Sequence, residues 1–540
     1  MVLSADPAAD IIVTHAKIWT VDADQPEAEA LAVIGDRIVD VGSSQTIEKW
    51  KGPATRVIDA GGKRVLPGFN DAHVHFSTGG FDLDRIDLKN AESREQFIAM
   101  IAERAKKTPA GQWMTGGNWD DQRWNPAVLP TRDWIDPVTG DTPVLLSRYD
   151  GHMALANSTA LKIAGVTRAT VDPPGGEIVR DSSGEPTGIL KDAAMDSVYS
   201  KIPAPTHDQL TAAVKRALAH AASFGVTSLQ DMNPSYADMA VYAELAEKGE
   251  LTSRIYAAPF ETDWEDQAKL GVRRAFGSAY YRVGALKGYA DGSLGSTTAY
   301  FFEPYSDTPQ THGLLSSEMQ PAEKFQERIQ KADKAGLQLC IHAIGDQGIS
   351  MVLDQFAAII RANGERDRRF RIEHSQHVAP KDIPRYAGLH VIASMQPYHA
   401  IDDGRWAEKR IGPERIKTTY AFRSFLDNGV RLAFGTDWTV APINPMLGLY
   451  AAVTRRTLDG KNPGGWVPEQ KITLKEAMEA YTMGSAYAEF QETQKGSLTR
   501  GKLADLVILS DDILAIDPLK LPDVKVITTI TGGKVVYQQK

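Results

Sequence analysis

Eight short apolar segments constrain the fold of this 540-residue chain more than any other feature. Helical stretches such as Leu210–Ser223, Ala322–Ala335 and Ile349–Asn363 separate several of them. Strands that alternate with helices pair in parallel, in a barrel or a doubly wound sheet, and near-continuous apolar character is typical of strands buried on both faces. Because a (β/α)8 TIM barrel has eight strands, we predict that fold. The segments are Leu66–Phe76, Val226–Met232, Arg254–Phe260, Gly284–Asp291, Leu337–His342, Arg369–His374, Val391–Gln396 and Arg431–Asp437.

Both ends of the chain have a different pattern, of short strands separated by tight turns. Neither end carries enough apolar residues to form a core alone. We therefore expect residues 1–67 and 497–540 to form one composite β-sandwich, beside a barrel built from residues 68–76 and 207–496. The predicted strands are Ile11–Thr14, Ala16–Val21, Ala30–Ile34, Arg37–Gly42 and Arg56–Asp59 at one end, and segments of Gly501–Ser510 and Val524–Val536 at the other.

The segment between the first two barrel strands, residues 77–206, is far too long for a single crossover helix. It contains two helical stretches, many tryptophans and a hairpin pattern at Gly176–Lys191. An insertion after the first strand leaves a barrel at its C-terminal face, where active sites lie in this fold. We therefore predict an insertion domain that covers the site as a lid or wall.

Composition excludes several classes of function. The net charge of −9 and the lack of a basic stripe argue against a nucleic-acid partner. The single cysteine, Cys340, excludes an intrachain disulfide framework, and no run approaches the ~20 apolar residues that span a bilayer. The start of the chain lacks a signal-peptide pattern, which favours a cytoplasmic protein, although an exported protein whose signal was removed stays open. We expect a small-molecule substrate, no membrane partner, and a homodimer as the commonest oligomer.

Polar residues able to bind a metal end four of the predicted barrel strands, and a lysine lies in a fifth. His73 and His75 point to one face because residues i and i+2 of a strand share a face. The burial of a single histidine needs no metal, because its ring can donate a hydrogen bond to a backbone carbonyl. A single lysine can extend its side chain so that the ammonium group reaches solvent. Several such groups at one rim predict a shared divalent-metal site instead. They are His73, His75, Lys287, His342, His374 and Asp437.

This set resembles the metal-site pattern of the amidohydrolase superfamily. Three further motifs resemble its amidohydrolase-3 branch, which includes N-substituted formamide deformylases: DGSLGSTTA at 291–299, HAIGD at 342–346 and GHMALANSTAL at 151–161. The resemblance covers essentially the whole chain. It implies a metal-dependent hydrolase that cleaves a non-peptide C–N bond of an N-substituted amide or formamide.

The resemblance also implies how the metal-site residues act. In two-metal members the lysine of the fourth strand is carboxylated, so Lys287 is expected to bridge two divalent ions, with Zn²⁺ favoured although Mn²⁺, Fe²⁺ and Co²⁺ suit the same ligands. One ion is assigned to His73, His75 and Asp437, and the other to His342 and His374. A metal-activated hydroxide is expected to attack the carbonyl, with Asp437 as general base and then general acid.

Three alternatives stay open at this point. Lys287 could remain unmodified and pair with Asp291. The scaffold could carry a one-metal deaminase or a cyclic-amide hydrolase, although a deaminase usually has a Glu near the histidine of the fifth strand, and Ala343 and Ile344 follow His342 here. A non-catalytic barrel that binds a ligand is the most distant alternative.

Further candidates concern substrate binding. His152 on the insertion is expected to hydrogen-bond the substrate carbonyl or leaving group, or else to cap a turn. His399 follows the seventh strand and could line the pocket. Asp291 is expected to orient Lys287. A pocket wall for an aromatic substituent is predicted from Trp119, Asp120, Trp124 and Trp438, although tryptophans in an insertion also pack its own core.

Overall fold

The protein, studied as a computed structural model that describes residues 8–109 and 111–539, is a mixed α/β chain with five sheets. Residues 1–7 and 540, which we assigned to the terminal sandwich, lie outside the described residues. Eight parallel strands form the centre and correspond one by one to the predicted segments. They are β1 (Phe69–Val74), β2 (Val226–Met232), β3 (Arg254–Ala258), β4 (Ala285–Tyr289), β5 (Gln338–Ala343), β6 (Arg371–His374), β7 (Ile392–Met395) and β8 (Leu432–Phe434).

The eight strands belong to two five-stranded sheets. One has the order Phe276–Gly277, Tyr281–Val283, β3, β2, β1, and the other runs from β4 to β8 in chain order. Isolated parallel bridges join Phe260, which follows β3, to Lys287 of β4, and Val74 of β1 to Trp438, which follows β8, so the two sheets contact each other at two places. All neighbours among β1–β8 within a sheet are parallel, which brings their carboxyl ends to one side.

Two glycines separate neighbouring strands: Gly68 divides the predicted segment Leu66–Phe76, and Gly284 lies at the start of the predicted segment Gly284–Asp291. Gly68 separates Arg64–Pro67 from β1, and a Cβ at Gly68 would lie 2.1 Å from the Thr227 hydroxyl. Gly284, at φ +111°, separates Tyr281–Val283, which pairs with β3, from β4, which pairs with β5. Its missing Cβ avoids a 2.0 Å clash with the carbonyl of Arg273. Because other segments of the same chain approach so closely, both positions require glycine.

Helices pack around these strands. The helix before β2 begins at His207, earlier than predicted, because Thr206 and Gln209 form a capping box at its start. No helix of the described residues is both long and apolar enough to cross a membrane. The α-helices of six or more residues among the described residues are Phe76–Asp82, Arg94–Ala105, Arg132–Thr139, Ser158–Ala164, His207–Ser223, Tyr236–Glu247, Trp264–Lys269, Ala322–Lys334, Asp346–Asn363, Ile383–Gly388, Pro397–Asp403, Ala407–Arg415, Phe422–Asp427, Pro445–Thr454 and Leu474–Glu479.

Strands from both ends of the chain pair with each other. Leu506–Leu509 is antiparallel to Arg64–Pro67, with Leu506 opposite Pro67. The six-stranded sheet has the order Lys534–Gln538, Val526–Thr531, Leu506–Leu509, Arg64–Pro67, Lys17–Trp19, Glu27–Ala28, and the four-stranded sheet the order Arg37–Gly42, Ala30–Ile34, Ile11–Thr14, Arg56–Asp59. Buried side chains of both sheets, such as Val33 and Ile508, form one hydrophobic cluster.

The insertion has a six-stranded sheet, of which the sequence predicts only the hairpin Gly176–Arg180 and Pro186–Asp192. The strand order is Gly176–Arg180, Pro186–Asp192, Met153–Ala156, Val144–Arg148, Met114–Trp119, Ile86–Asp87. Trp119 and Trp124 are buried in the core of this unit with Phe97 and Ile135. The tryptophans of the insertion therefore stabilise its own core.

A buried ionic cluster lies near the amino ends of β1 and β2. The carboxylate of Glu489 accepts hydrogen bonds from Asn70 (2.6 Å) and contacts Lys495 (2.7 Å) and Arg282, and all four side chains are buried. Burial lowers the pKa of Lys495 to about 8, although Glu489 opposes this effect. Removing one partner of such a cluster leaves uncompensated buried charge.

We expect Glu489→Gln to destabilise the protein by about 3 kcal/mol, because two buried cations then lose their carboxylate. The midpoint of urea unfolding, followed by circular dichroism, measures this effect. Glu265→Gln is the control, since Glu265 is exposed and its one ion pair among the described residues, with Lys269, is long at 3.8 Å. Equal midpoints for the two variants would contradict a stabilising role for the cluster.

Candidate active site

The carboxyl ends of the central strands bring all six predicted metal-site residues together. Asp437 Oδ1 lies 3.3 Å from His75 Nε2 and 3.6 Å from His73 Nε2. Lys287 Nζ lies 3.5 Å from His73 Nε2. The ring centroids of His342 and His374 are 4.5 Å apart, and those of His73 and His374 are 4.7 Å apart. His73, His374 and Asp437 each offer a donor atom within 4.8 Å of the others.

Two residues of this site have the left-handed backbone conformation, which residues other than glycine rarely adopt. His374 and Asp437 have positive φ angles of 74° and 57°. The amide of Asp437 donates to the carbonyl of His73 at 2.7 Å, which holds the loop after β8 against β1. Backbone strain of this kind costs about 1–3 kcal/mol and persists where the surroundings enforce it, often at functional sites.

Hydrogen bonds determine which ring nitrogen is protonated in the two histidines of β1 and its end. His73 Nδ1 donates to the buried carboxylate of Glu373 at 2.7 Å, and His75 Nδ1 donates to the carbonyl of Met232 at 3.2 Å. Carboxylates and carbonyls only accept, so each proton lies on Nδ1. The lone pair on each Nε2 is therefore free to bind a cation beside Asp437.

The histidines of β5 and β6 are held in the same way. His342 Nε2 donates to the carbonyl of Gly292 at 3.0 Å, and His374 Nδ1 donates to Gln396 Oε1 at 2.8 Å. Within the described residues, His342 Nδ1 has no hydrogen-bond partner although it is buried. All four histidines thus use one ring nitrogen as a donor and keep the other for a ligand.

The ionisation states suit a metal site. Burial, and then the charge of Lys287, lowers the pKa of His73 to about 4, and burial lowers the pKa of His342 and His374 well below the ordinary value. Burial alone would raise the pKa of Asp437, but His73 and His75 hold it below its usual range. Neutral imidazoles around a carboxylate are the donor set of Zn²⁺ and similar ions.

Unpartnered buried atoms provide an independent test of this fit. Asp437 Oδ1, His342 Nδ1 and His399 Nε2 are buried without a hydrogen-bond partner in the part of the chain that the structure describes. Leaving such an atom unsatisfied costs about 1–3 kcal/mol. A divalent cation would satisfy these donors, so the residues present fit a metal.

Lys287 is buried among these groups. Burial lowers its pKa, against the opposing influence of Glu373 and Asp437. Among the described residues, Lys287 is not paired with Asp291, although both the unmodified alternative and the predicted orienting role of Asp291 require that pairing. Asp291 accepts the amides of Tyr300, Ile344 and Gly345 at 2.7–2.9 Å and contacts His342, so its carboxylate holds the loops after β4 and β5 and does not orient Lys287.

A cavity of about 590 Å³ opens above the metal-site residues. His152 and His399, both predicted to bind substrate, line it. His399 Nε2 lies 3.9 Å from Asp437 Oδ2. His152 Nδ1 donates to Asp192 Oδ1 at 2.6 Å, and although burial alone would lower the pKa of His152, Asp192 raises it. The insertion thus contributes a histidine–carboxylate pair to the cavity wall.

The structure places the remaining candidates away from this cavity. Trp119 donates its indole N–H to the carbonyl of Leu146 in the core of the insertion, and Asp120 contacts Arg405 at 3.1 Å. Neither residue lines the cavity, and Trp124 and Trp438 do not line it either. Their placement therefore does not support the predicted aromatic wall, because each indole already packs in a hydrophobic core.

Sequence reasoning missed the partners that hold the histidines. Glu373 forms an ion pair with Arg371 at 2.7 Å. Burial alone would raise the pKa of Glu373, but Arg371 and His73 outweigh this effect and lower the pKa to about 2. Arg371 and Glu373 are charged residues two apart in a buried strand, which is a signal that the sequence did contain. Gln396 and Asp192 carried no such signal, because only the fold brings them beside His374 and His152.

Two relatives and one solved structure are similar to this chain over most of its length. Protein LONG AFTER FAR-RED 3 of Arabidopsis thaliana is 39% identical to this chain, over 98% of this chain and 92% of the relative. An N-substituted formamide deformylase of Arthrobacter pascens is 28% identical over 98% of both chains. A crystal structure of an uncharacterized metal-dependent hydrolase from Pyrococcus horikoshii OT3 superposes with a TM-score of 0.77 at 28% identity, over 94% of this chain and 99% of that one.

The sequence model of the amidohydrolase family (Amidohydro_3) matches residues 56–537, which include every metal-site residue described above. This match confirms the resemblance seen in the sequence motifs. The chain therefore belongs to the amidohydrolase family.

Proposed function

We propose that this protein is a metal-dependent hydrolase that cleaves the C–N bond of an N-substituted amide or formamide, consuming water and releasing a carboxylate and an amine. One observation carries the proposal: three buried histidines and the half-buried His75 each donate one ring N–H to a fixed acceptor and keep the other nitrogen for a ligand near Asp437 and Lys287. Such partners orient metal-binding histidines and set their tautomers. A structural histidine cluster has no need of this arrangement.

We also propose that β1–β8 close into one (β/α)8 barrel, with residues 77–206 as a lid and both chain ends as a composite sandwich. The bridges Phe260–Lys287 and Val74–Trp438 support closure, because they join β3 to β4 and β1 to the end of β8. Glycine at 284 and the short β8 account for the division into two sheets. The site then lies at the carboxyl ends of the strands, as in other enzymes of this fold.

The residues suggest two metal positions. His73, His75 and Asp437 would hold one ion, His342 and His374 would hold the other, and Lys287, as a carbamate, would supply an oxygen to each. A bound divalent ion lowers the pKa of water toward about 7 and polarises a carbonyl oxygen.

The chain's own groups then move protons and position the substrate. Asp437, ionised and next to His75, accepts a proton from water and passes it to the leaving nitrogen. His152 lies across the cavity, where it can hydrogen-bond the carbonyl or the leaving group, and Asp192 fixes its ring orientation. Ile202, Leu294 and Val440 supply apolar side chains to the cavity lining, which also contains charged groups such as Arg148 and Asp402. An apolar substituent can pack against the apolar part of this lining.

Removal of metal tests the proposal. We expect protein purified without chelator to hydrolyse members of a panel of N-alkyl and N-benzyl formamides and amides, detected by release of amine. Stripping with a chelator should lower the rate by about a thousandfold, and added Zn²⁺ or Mn²⁺ should restore it. Hydrolysis that survives complete removal of metal, or a failure of every formamide and amide in the panel to react, would overturn the proposal.

A further inference from the structure

The loop that carries Asp437 is held by a carboxylate that has no part in the proposed reaction. Asp71 lies in β1, is buried and does not line the cavity. Its Oδ1 accepts the backbone amides of His73 at 3.2 Å and of Thr436 at 2.8 Å, and its Oδ2 accepts the hydroxyl of Thr436 at 2.5 Å. One carboxylate thus joins the strand of His73 to the residue before Asp437.

Thr436 extends this connection to the other side of Asp437. Its hydroxyl oxygen donates to Asp71 and accepts the amide of Trp438 at 3.2 Å. The amides before and after Asp437 are therefore fixed, and Asp437 keeps a positive φ of 57°, which is uncommon for residues other than glycine. Gly435 allows the loop to approach, since a Cβ there would lie 2.8 Å from Asp71 Oδ1.

The end of β2 holds His75 in a similar manner. Asp231 Oδ1 accepts the amide of Phe76, the residue after His75, at 2.7 Å, and Asp231 Oδ2 accepts the hydroxyl of Tyr242 at 2.7 Å. The carbonyl of Met232, the next residue, accepts the ring N–H of His75. Asp231 is buried and does not line the cavity. The end of β2 therefore fixes both the backbone after His75 and the orientation of its ring.

We propose that Asp71 and Asp231 are positioning residues of the metal site, which raise its affinity for a divalent ion by holding the backbone beside Asp437 and His75. This inference rests on the metal dependence of the proposed function. Neither carboxylate lines the cavity, so neither contacts the substrate. Their donors belong to the segments that carry the ligands, so they act through the geometry of those ligands. Loss of a group that orients a metal ligand lowers metal affinity by roughly 10–100-fold.

Binding of Co²⁺ to the full chain, stripped of other metals, tests the proposal by a readout other than activity. The visible absorption bands of bound Co²⁺ depend on the number and geometry of its ligands. Thr436→Ala removes the hydroxyl that contacts Asp71 and the amide of Trp438, and we expect about tenfold weaker Co²⁺ binding with altered bands. Thr436→Ser keeps the hydroxyl and should retain both. Tyr242→Phe, which removes only a donor to Asp231, should weaken binding about threefold.

Thr529→Ala is the matched control for a loss of stability alone. The buried hydroxyl of Thr529 donates to the carbonyl of Ala222 at 2.7 Å, and its strand, Val526–Thr531, carries no metal-site residue. We expect this variant to lower the midpoint of urea unfolding, as Thr436→Ala does, but to leave the affinity for Co²⁺ and the absorption bands unchanged. If Thr436→Ala does not fold, Tyr242→Phe decides the test, because it keeps the volume of the ring.

The outcomes separate this inference from the proposed function. Unchanged Co²⁺ affinity and bands in Thr436→Ala and Tyr242→Phe would overturn the positioning role, even if the protein hydrolyses amides. An equal change in Thr529→Ala would also overturn it, because the effect would then follow stability. Weakened binding in the two variants of a protein that hydrolyses no amide would keep the positioning role and overturn the proposed reaction. A wild-type protein that binds no Co²⁺ would overturn the metal site and this inference with it.

Discussion

Asp437→Asn is expected to lower the turnover of any amide substrate by about a thousandfold to ten-thousandfold, with the fold retained. The asparagine amide has nearly the shape of the carboxylate but cannot accept a proton from water. In the structure Asp437 Oδ1 lies within 3.6 Å of the Nε2 atoms of His73 and His75, so an amide NH2 in its place would also face two nitrogen lone pairs. Turnover at saturating substrate, measured together with metal content, tests this result.

The metal content decides why activity is lost. If the variant keeps its metal and loses turnover, the loss arises from the missing proton transfer by Asp437. If excess metal restores turnover, Asp437 acts mainly as a metal ligand. Asp307→Asn is the matched control, because Asp307 forms an ion pair with Arg410 and does not line the cavity. Unchanged turnover in Asp437→Asn would show that the proposed reaction does not depend on this carboxylate.

The positions of the central strands and of the metal-site residues follow directly from the sequence. A buried parallel strand must be apolar on both faces, so β2 is visible as the run Val226–Met232. A charged or ligating residue at the end of such a run stands out against this background. Because parallel strands share the direction of their carboxyl ends, His73, His342, His374 and Asp437 are expected to meet without any knowledge of strand order.

Which residue partners each histidine could not be predicted, even where a buried charge such as Glu373 was visible in the sequence, because the pairing depends on contacts between distant parts of the chain. Glu373 reaches His73 across 300 residues, and Asp192 reaches His152 from another strand of the insertion. The sheet of the insertion was missed for a local reason. The strand Met114–Trp119 contains Gly116, Gly117 and Asn118, all at positive φ, so it lacks the β-branched alternation that identifies a strand.

The same limitation explains the tryptophans. Trp119 and Trp124 lie close together in the sequence beside acidic residues. The same sequence pattern fits the wall of a ligand-binding pocket and the packed core of a domain. In the structure the indole N–H groups donate to the carbonyls of Leu146 and Ala91, and the rings are 6.5 Å apart in the core. A buried tryptophan needs one hydrogen-bond acceptor, and backbone carbonyls of the insertion supply it.

Lys287→Ala is expected to lower the metal content from about two ions per chain to about one and to reduce turnover by roughly a thousandfold. Lys287 is buried beside His73, and an ammonium group there can neither bind a cation nor coexist easily with one. Burial lowers its pKa and so favours the neutral amine. Attack of that amine on CO2, with loss of one proton, forms a carbamate whose two oxygens can each bind an ion.

Elemental analysis of wild type and variant, both purified in bicarbonate without chelator, measures the metal content. The intact mass of the wild type should exceed that of the unmodified chain by one CO2, and the variant should show no such excess. Lys191→Ala is the control, because Lys191 is also buried but forms an ion pair with Glu177 in the insertion.

Rescue by a small carboxylate distinguishes a bridging role from a structural one. Alanine at 287 leaves a space beside His73 that acetate or propionate can enter, and their two oxygens can replace those of the carbamate. If Lys287 bridges two ions, either anion should restore the second ion and part of the turnover. The contrary outcome is a wild-type protein that holds one ion per chain and a Lys287→Ala variant that keeps it. That result would exclude the bridging carbamate. The reaction would then be that of a one-metal hydrolase, in which Asp437 and the four histidines act around a single ion.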